Sequence, residues 1–132
     1  MLRTLGVLGG MGPLATASFM NQVIALSPAK NDQEHIPMFI RNIPQIPDRT
    51  KFLMGLEDEN PFFELKKGFK ELTSLGVSCI VIPCNTAHYW YDALTKNADV
   101  HTISIVKNVN GNSKRKTKLE LAKDILKKKI SN

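Results

Sequence analysis

The stretch that decides the fold of this chain is Ile80-Val81-Ile82-Pro83-Cys84-Asn85-Thr86-Ala87-His88. It begins with a short run of β-branched apolar residues, which is typical of a buried strand. Pro83 then ends the strand, because proline has no N–H to donate to a neighbouring strand. Asn85 or Thr86 is a suitable N-cap for a helix that follows. Cys84 therefore stands between the carboxyl end of a strand and the start of a helix.

This position is one where a reactive thiol is expected. Free backbone N–H groups and the positive end of a helix dipole favour the thiolate, which is the form of cysteine that acts as a base or nucleophile. We therefore expect Cys84 to be accessible and reactive. The alternative is an inert buried cysteine, since free cysteine is among the most buried residue types. That alternative suits Cys79, inside the strand, better than Cys84, because open α/β sheets bind ligands at the carboxyl ends of their strands.

Strands and helices alternate along the rest of the chain. Strands are predicted at residues 2–8, 36–43, 79–82 and 100–106, and helices at 13–27, 48–53, 60–75 and 86–94. Pro13 suits the first position of its helix, Asp48 can cap the second, and Gly76 can end the third. This order predicts an α/β fold, a single lobe with a parallel sheet of about four strands flanked by helices. The third helix should bury one apolar face, made of Phe62, Leu65, Phe69, Leu72 and Leu75.

The loops that follow the strands should meet at one edge of this sheet. Met11, Arg49 and Cys84 would then face one pocket, although they are far apart in the sequence. The turn at Gly10-Met11-Gly12 suits an anion, because backbone N–H groups and a helix start face it. It also fits the loose dinucleotide pattern G-x-G-x-x-A. No acid ends the second strand to hold a ribose, which argues against a dinucleotide.

Composition and charge divide the chain into two parts. Its 132 residues, 42% hydrophobic and 23% charged, are ordinary for one soluble domain, and no apolar run is long enough to span a bilayer. Residues 1–106 carry a net charge of −1, whereas residues 107–132 hold nine Lys or Arg against two acids, a net charge of +7. Two cysteines five positions apart do not suggest a disulfide framework, so we expect a reducing, cytoplasmic location.

The tail from residue 107 is predicted to be a basic linker followed by an amphipathic helix. Residues 110–113 are typical of a turn, and residues 117–120 fit a capping box. A basic tail can bind nucleic acid or anionic lipid. Lysines without interleaved aromatic residues argue against nucleic acid and favour a solvated helix face. The apolar stripe of this helix consists of Leu119, Ala122, Ile125, Leu126 and Ile130.

Four motifs, in this order along the chain, closely resemble the amino-terminal half of aspartate racemases, which belong to the aspartate/glutamate racemase family. They are Gly6-Val7-Leu8-Gly9-Gly10-Met11-Gly12-Pro13, Asp32-Gln33-Glu34-His35, Ile46-Pro47-Asp48-Arg49-Thr50 and Ile82-Pro83-Cys84-Asn85-Thr86-Ala87-His88. The resemblance covers residues 5 to about 106, and four ordered motifs make it specific. It implies a racemase-like lobe at residues 1–106, with residues 107–132 outside it.

The resemblance also implies the chemistry. Members of this family invert the α-carbon of a free amino acid without pyridoxal phosphate, so no cofactor and no metal are expected. They use two cysteines, one from each of two similar lobes that face each other across a cleft. Cys84 matches the cysteine of the first lobe and would be the acid/base residue. The implied substrate is an acidic amino acid, aspartate or glutamate.

The substrate-binding residues follow from the same resemblance. Arg49 matches the arginine that holds the acidic side chain, and its guanidinium fork suits a carboxylate. A surface ion pair is the alternative role for Arg49. Asn85 and Thr86 offer hydrogen-bond donors to a carboxylate, and His88 either polarises the thiolate or is a structural hydrogen-bond partner. The pocket would be lined by Gly10, Met11 and Gly12.

This sequence has no counterpart of the family's second lobe or of its cysteine. Three interpretations are open: a truncated product, a homodimer in which two first lobes face each other, or a small-molecule or partner-binding module without turnover. Water should reach Cys84 where the second lobe would stand. We therefore expect the isolated monomer not to racemise aspartate at a useful rate.

Overall fold

A parallel sheet of four strands forms the centre of the protein. The structure is a computed structural model and describes residues 4–103, 106–109 and 112–115. The strands lie in the order β2-β1-β3-β4, and all three neighbouring pairs are parallel. The predicted four-stranded α/β fold is therefore confirmed. The strands are β1 (Leu5–Gly9), β2 (Met38–Asn42), β3 (Cys79–Val81) and β4 (His101–Ile103).

Helices connect the strands and cover both faces of the sheet. None of those in the described part of the chain is long and apolar enough to cross a membrane. They are α1 (Pro13–Leu26), α2 (Arg49–Leu53), α3 (Phe62–Ser74) and α4 (Tyr91–Thr95), with short 3-10 helices at Asp32–Glu34 and Thr86–Trp90.

Local sequence signals account for most helix ends. Pro13 occupies the first position of α1, as predicted, because its missing N–H would have no partner there. The Asp48 carboxylate accepts the Lys51 N–H at 2.9 Å and caps α2. The Asn60 side chain accepts an N–H at the start of α3, and Gly76, with φ +77°, follows its end.

The two faces of the sheet belong to two hydrophobic clusters. Alternate residues of a strand point to opposite faces, so Val7 and Val81 pack on the α1 side, whereas Leu8 and Ile80 pack on the α3 side. Cys79 belongs to the cluster on the α1 side, together with Phe19 and Val23 of α1. The cluster on the α3 side contains Leu65, Phe69 and Leu72, and it continues to Cys84.

Several predicted boundaries are corrected by the structure. β2 begins at Met38 rather than at residue 36, because Pro37 contributes only its carbonyl, which accepts the Leu5 N–H at 2.9 Å. Leu75 follows the last residue of α3 and is 54% exposed, so the predicted apolar face ends one turn earlier.

The end of the chain also differs from the prediction. Val106, predicted as the last residue of the fourth strand, belongs instead to β5 (Val106–Val109), which pairs antiparallel with β6 (Asn112–Arg115) in a separate two-stranded sheet. Asn112 and Ser113, predicted in a turn, therefore lie in a strand. The predicted amphipathic helix of the tail lies outside the described residues.

Candidate functional site

Three loops meet at the carboxyl edge of the sheet, as the parallel topology requires. They follow β1, β2 and β3, and they place Met11, Ile46 and Cys84 in one hydrophobic cluster with Trp90. The rings of Phe52 and Trp90 lie 6.1 Å apart, so α2 packs against the 3-10 helix that follows the cysteine. The predicted convergence of the turn after β1 with Cys84 is therefore found, and Arg49 begins the neighbouring helix.

Cys84 is buried in this edge, with 8% of its surface exposed. Its N–H donates to the carbonyl of Ile82 at 2.8 Å, so the chain turns back over the end of β3 instead of projecting outwards. The thiol sulphur lies 3.5 Å from the hydroxyl oxygen of Thr86. The expectation of an accessible Cys84 is therefore wrong, because the lobe itself shields the side chain.

The segment after Cys84 is not the regular helix that the sequence predicts. It begins as a 3-10 helix at Thr86–Trp90, and the exposed Asn85 side chain makes no capping hydrogen bond. A five-residue 3-10 helix aligns fewer peptide dipoles than a long α-helix does, so the dipole beside Cys84 is weaker than that of the predicted helix. The hydroxyl of Thr86 is the hydrogen-bond partner that the structure shows for the sulphur.

The glycine-rich turn after β1 is held by a threonine of α1. The Gly10 N–H donates to the Thr16 hydroxyl at 2.9 Å in the interior, and that hydroxyl reaches the Gly12 carbonyl at 3.3 Å. Met11 is buried, whereas Gly12 is exposed. The Gly10 N–H is thus engaged within the turn, and the sequence analysis did not assign Thr16 this role. The sequence signal for this hydrogen bond is a threonine that follows the glycine-rich turn by one turn of the helix.

The Arg49 side chain folds back on its own loop. Its Nη1 donates to the carbonyls of Ile46 and Pro47, both at 3.2 Å. Its Nε is buried and has no hydrogen-bond partner in the part of the chain that the structure describes. Within the same residues the recorded ion pair joins Arg41 to Glu71 at 3.2 Å and does not involve Arg49. The alternative of a surface ion pair for Arg49 is therefore not found there.

His88 is bonded to the end of β3. Its Nε2 lies 3.0 Å from the carbonyl oxygen of Ile82, and its ring stacks on Tyr91 with 5.4 Å between centroids. Burial holds the pKa of His88 below its ordinary value of 6.5, and the hydrogen bond to Ile82 opposes this shift in part. Of the two roles considered for His88, this geometry favours the structural hydrogen-bond partner.

A cleft of about 880 Å³ lies away from these residues. It runs between α3 and α4, near residues 77–78 and 99–100, which precede β3 and β4. It is therefore at the amino edge of the sheet, opposite Cys84, and none of the predicted site residues lines it. Three lysines border it: Lys66, Lys70 and Lys96.

Metal and dinucleotide ligation have little support among the residues that the structure describes. No three His, Cys, Asp or Glu side chains there are grouped so that they could hold a metal ion. β2 ends at Asn42 and is followed by Ile43, so no carboxylate stands where a dinucleotide ribose would need one.

Known proteins resemble this chain in sequence and in fold. Residues 8–119 match the sequence profile of the Asp/Glu/hydantoin racemase family. The broad specificity amino-acid racemase RacX of Bacillus subtilis (strain 168) is 34% identical over 110 residues, which are 77% of this chain and 45% of that protein. Picrophilus torridus aspartate racemase superposes with a TM-score of 0.72 and 32% identity, over 78% of this chain and 43% of that one.

A more distant structure has the same fold. An aspartate racemase homologue from Pyrococcus horikoshii OT3 superposes with a TM-score of 0.63 and 23% identity, over 79% of this chain and 45% of that one. The chain thus spans less than half the length of these relatives. The profile match includes the turn after β1, Arg49 and Cys84. Because that match covers most of its residues, the chain belongs to the Asp/Glu/hydantoin racemase family.

Proposed function

We propose that this chain performs cofactor-independent proton transfer at the α-carbon of an acidic amino acid, with Cys84 as the acid/base residue. One observation carries the proposal. Cys84 lies at the carboxyl end of β3, where the loops after three parallel strands meet, with a hydroxyl 3.5 Å from its sulphur. Membership of a racemase family supports the same reaction class.

The chemistry of this proposal needs only the thiol and its surroundings. The Cys84 thiolate takes the α-proton as an S–H bond forms, and the electron pair of the C–H bond moves into the substrate carboxylate. Thr86 can donate its hydroxyl proton to the thiolate and stabilise the anion. An α-proton is very weakly acidic, so a positioned base in a site shielded from water must supply much of the rate. Burial of Cys84 within its own lobe agrees with this requirement.

We assign carboxylate binding to the side chains of Arg49 and Asn85 and to the backbone N–H of Thr86, with aspartate or glutamate as the substrate. The support from Arg49 is that it begins α2 at the carboxyl edge of the sheet, and that its guanidinium is paired with no carboxylate among the described groups. A carboxylate ligand would supply one. The side-chain amide of Asn85 makes no capping hydrogen bond, and Asn85 is exposed next to the cysteine. The pocket would be lined by Met11 and Gly12, with Gly10 shaping the turn.

Inversion needs an acid/base group on each face of the α-carbon, and the carboxyl edge of this sheet carries one cysteine in the described residues. We therefore propose that the monomer does not racemise its substrate. A homodimer, in which two such lobes face each other, could do so. Large apolar side chains on the segments that follow the strands support a partner at this edge. They include Leu14, 86% exposed, Tyr89, 71% exposed, and the exposed Met54 and Leu56.

The proposed location is the cytoplasm. Cys79 and Cys84 are both buried and form no disulfide. Proteins of a reducing compartment rarely contain structural disulfides. A thiolate acid/base residue also needs such a compartment, because oxidation would remove its function.

Hydrogen–deuterium exchange at the α-carbon of L-aspartate in heavy water tests the proposal. Exchange with retention of configuration is expected from the monomer, with Cys84 acting alone as the base. Cys84→Ala should abolish it, and Cys79→Ala is the matched control. Binding of aspartate without any exchange would identify the alternative, a small-molecule-binding module without turnover. Inversion by a species that light scattering finds monomeric would overturn the account.

A further inference from the structure

Two donors bind the carbonyl oxygen of Ile82, the residue that follows β3 and lies two positions before the cysteine. The Cys84 N–H donates to this oxygen at 2.8 Å, and His88 Nε2 lies 3.0 Å from it. A carbonyl oxygen has two lone pairs, so it can accept both bonds. Because a carbonyl cannot donate, Nε2 of His88 must carry a proton. The Cys84 turn is thus closed by two bonds to one atom.

The other ring nitrogen of His88 takes no part in such bonding. Nδ1 is buried and has no partner among the described groups, so a second proton there would be unsolvated and unpaired. The ring is therefore the neutral tautomer with its proton on Nε2. In this form the one N–H of the His88 ring donates to the backbone carbonyl of Ile82, so the ring has no second N–H to donate to the thiol. It acts on Cys84 through the Ile82 carbonyl.

A second contact ties His88 to the neighbouring strand. Its ring stacks on Tyr91 with an interplanar angle of 15°, and the Tyr91 hydroxyl donates to the carbonyl of Thr102 at 2.9 Å. Thr102 lies in β4 and pairs with Ile80 of β3. The segment after the cysteine is thus fastened at one end to β3 and at the other to β4.

We infer that His88 is a positioning residue, which holds the Cys84 turn closed over the end of β3, and that Tyr91 supports it from β4. The acid/base importance of this position rests on the proposed function. The closure of the turn does not, because it follows from contacts that involve no substrate. Without His88, the turn loses one of its two bonds to Ile82 and the stacked support, so Cys84 should become exposed while Cys79 stays buried in the sheet.

Alkylation of the two cysteines by iodoacetamide, followed by mass spectrometry, tests this inference in the full chain. At a pH where both thiols are ionised in every variant, His88→Ala should raise the Cys84 rate about tenfold, the change expected for one internal hydrogen bond. The Cys79 rate should not change. His88→Gln, whose amide N–H2 can take the place of Nε2, should restore most of the protection. An unchanged Cys84 rate in His88→Ala, or a parallel rise of both cysteines, would overturn the inference.

Two further measurements remain informative if His88→Ala does not fold. Tyr91→Phe keeps the stacked ring but loses the bond to Thr102, and it should raise the Cys84 rate several-fold. Nitrogen-15 shifts of the unaltered protein report the tautomer directly, and protonated Nε2 with bare Nδ1 is expected. The opposite tautomer, or a Cys84 rate in Tyr91→Phe equal to that of the parent, would contradict the inference. These measurements report alkylation rate and tautomer state and need no catalysis. A failure of this inference can therefore be told apart from a failure of the proposed function, which is measured by exchange at the α-carbon.

Discussion

The backbone of Gly10 lies directly against the backbone of Ile43. A Cβ atom at Gly10 would stand 2.4 Å from both the nitrogen and the carbonyl carbon of Ile43, and Gly10 adopts φ +103°. The neighbouring Gly9 carbonyl accepts the Ile43 N–H at 3.0 Å. The loops after β1 and β2 are thus interlocked, which fixes one side of the edge that contains Cys84.

Replacing Gly10 by alanine should therefore destabilise the protein severely, by about 3 kcal/mol or more, because backbone strain and a backbone clash add. Gly55→Ala is the matched control. Gly55 also has positive φ, but a Cβ there would meet nothing within 4 Å, so about 1 kcal/mol is expected. Urea unfolding of both variants measures the difference, and equal losses would show that contact with Ile43 is unimportant.

Thr16→Val should also destabilise the fold. Valine has nearly the shape of threonine but no hydroxyl, so the buried Gly10 N–H would lose its acceptor, at a cost of about 1–3 kcal/mol. Thr73→Val removes an exposed hydroxyl that bonds a helix carbonyl, and it should cost no more than about 0.5 kcal/mol. Thermal or urea unfolding of the pair separates the lost hydrogen bond from the change of side chain.

Arg49→Ala should weaken the binding of aspartate about 10- to 100-fold, the range expected for a charge-assisted hydrogen bond. Binding of alanine should weaken far less, because alanine has no side-chain carboxylate. Arg41→Ala is the control, since it removes a cation that pairs with Glu71 instead. Titration followed by NMR measures each affinity. Equal losses for aspartate and alanine would remove Arg49 from side-chain recognition.

Stability should depend on the titration of His88. Burial lowers its pKa in the folded protein below 6.5, so in the window between the folded value and 6.5 the unfolded chain binds more protons. The stability contributed by neutral His88 is therefore complete above pH 6.5 and is lost as pH falls through that window. Urea unfolding over a pH series should show this loss, and His88→Gln should remove it. His35→Gln should retain it, and a loss that persists in His88→Gln would assign it to another group.

Local sequence determined the framework of this protein. Pro13 at the start of α1, Asp48 capping α2 and Gly76 after α3 each act through the backbone of their own segment, so they are legible without a structure. The apolar strands alternating with helices predicted the parallel sheet, and the motifs around Cys84 and Arg49 predicted the family. Such signals depend on dihedral preferences and periodicity, which short stretches of chain carry by themselves.

Tertiary packing decided what those residues do. Cys84 is buried because loops from three strands close around it, and no sequence window contains those loops together. The bond from Gly10 to Thr16 and the return of Arg49 to the carbonyls of its own loop depend on distances set by the assembled sheet edge. The bond from His88 to the Ile82 carbonyl likewise depends on how the 3-10 helix after Cys84 lies against the end of the preceding strand. Hydrogen bonds and burial are properties of atoms brought together in space, so the chain order alone does not specify them.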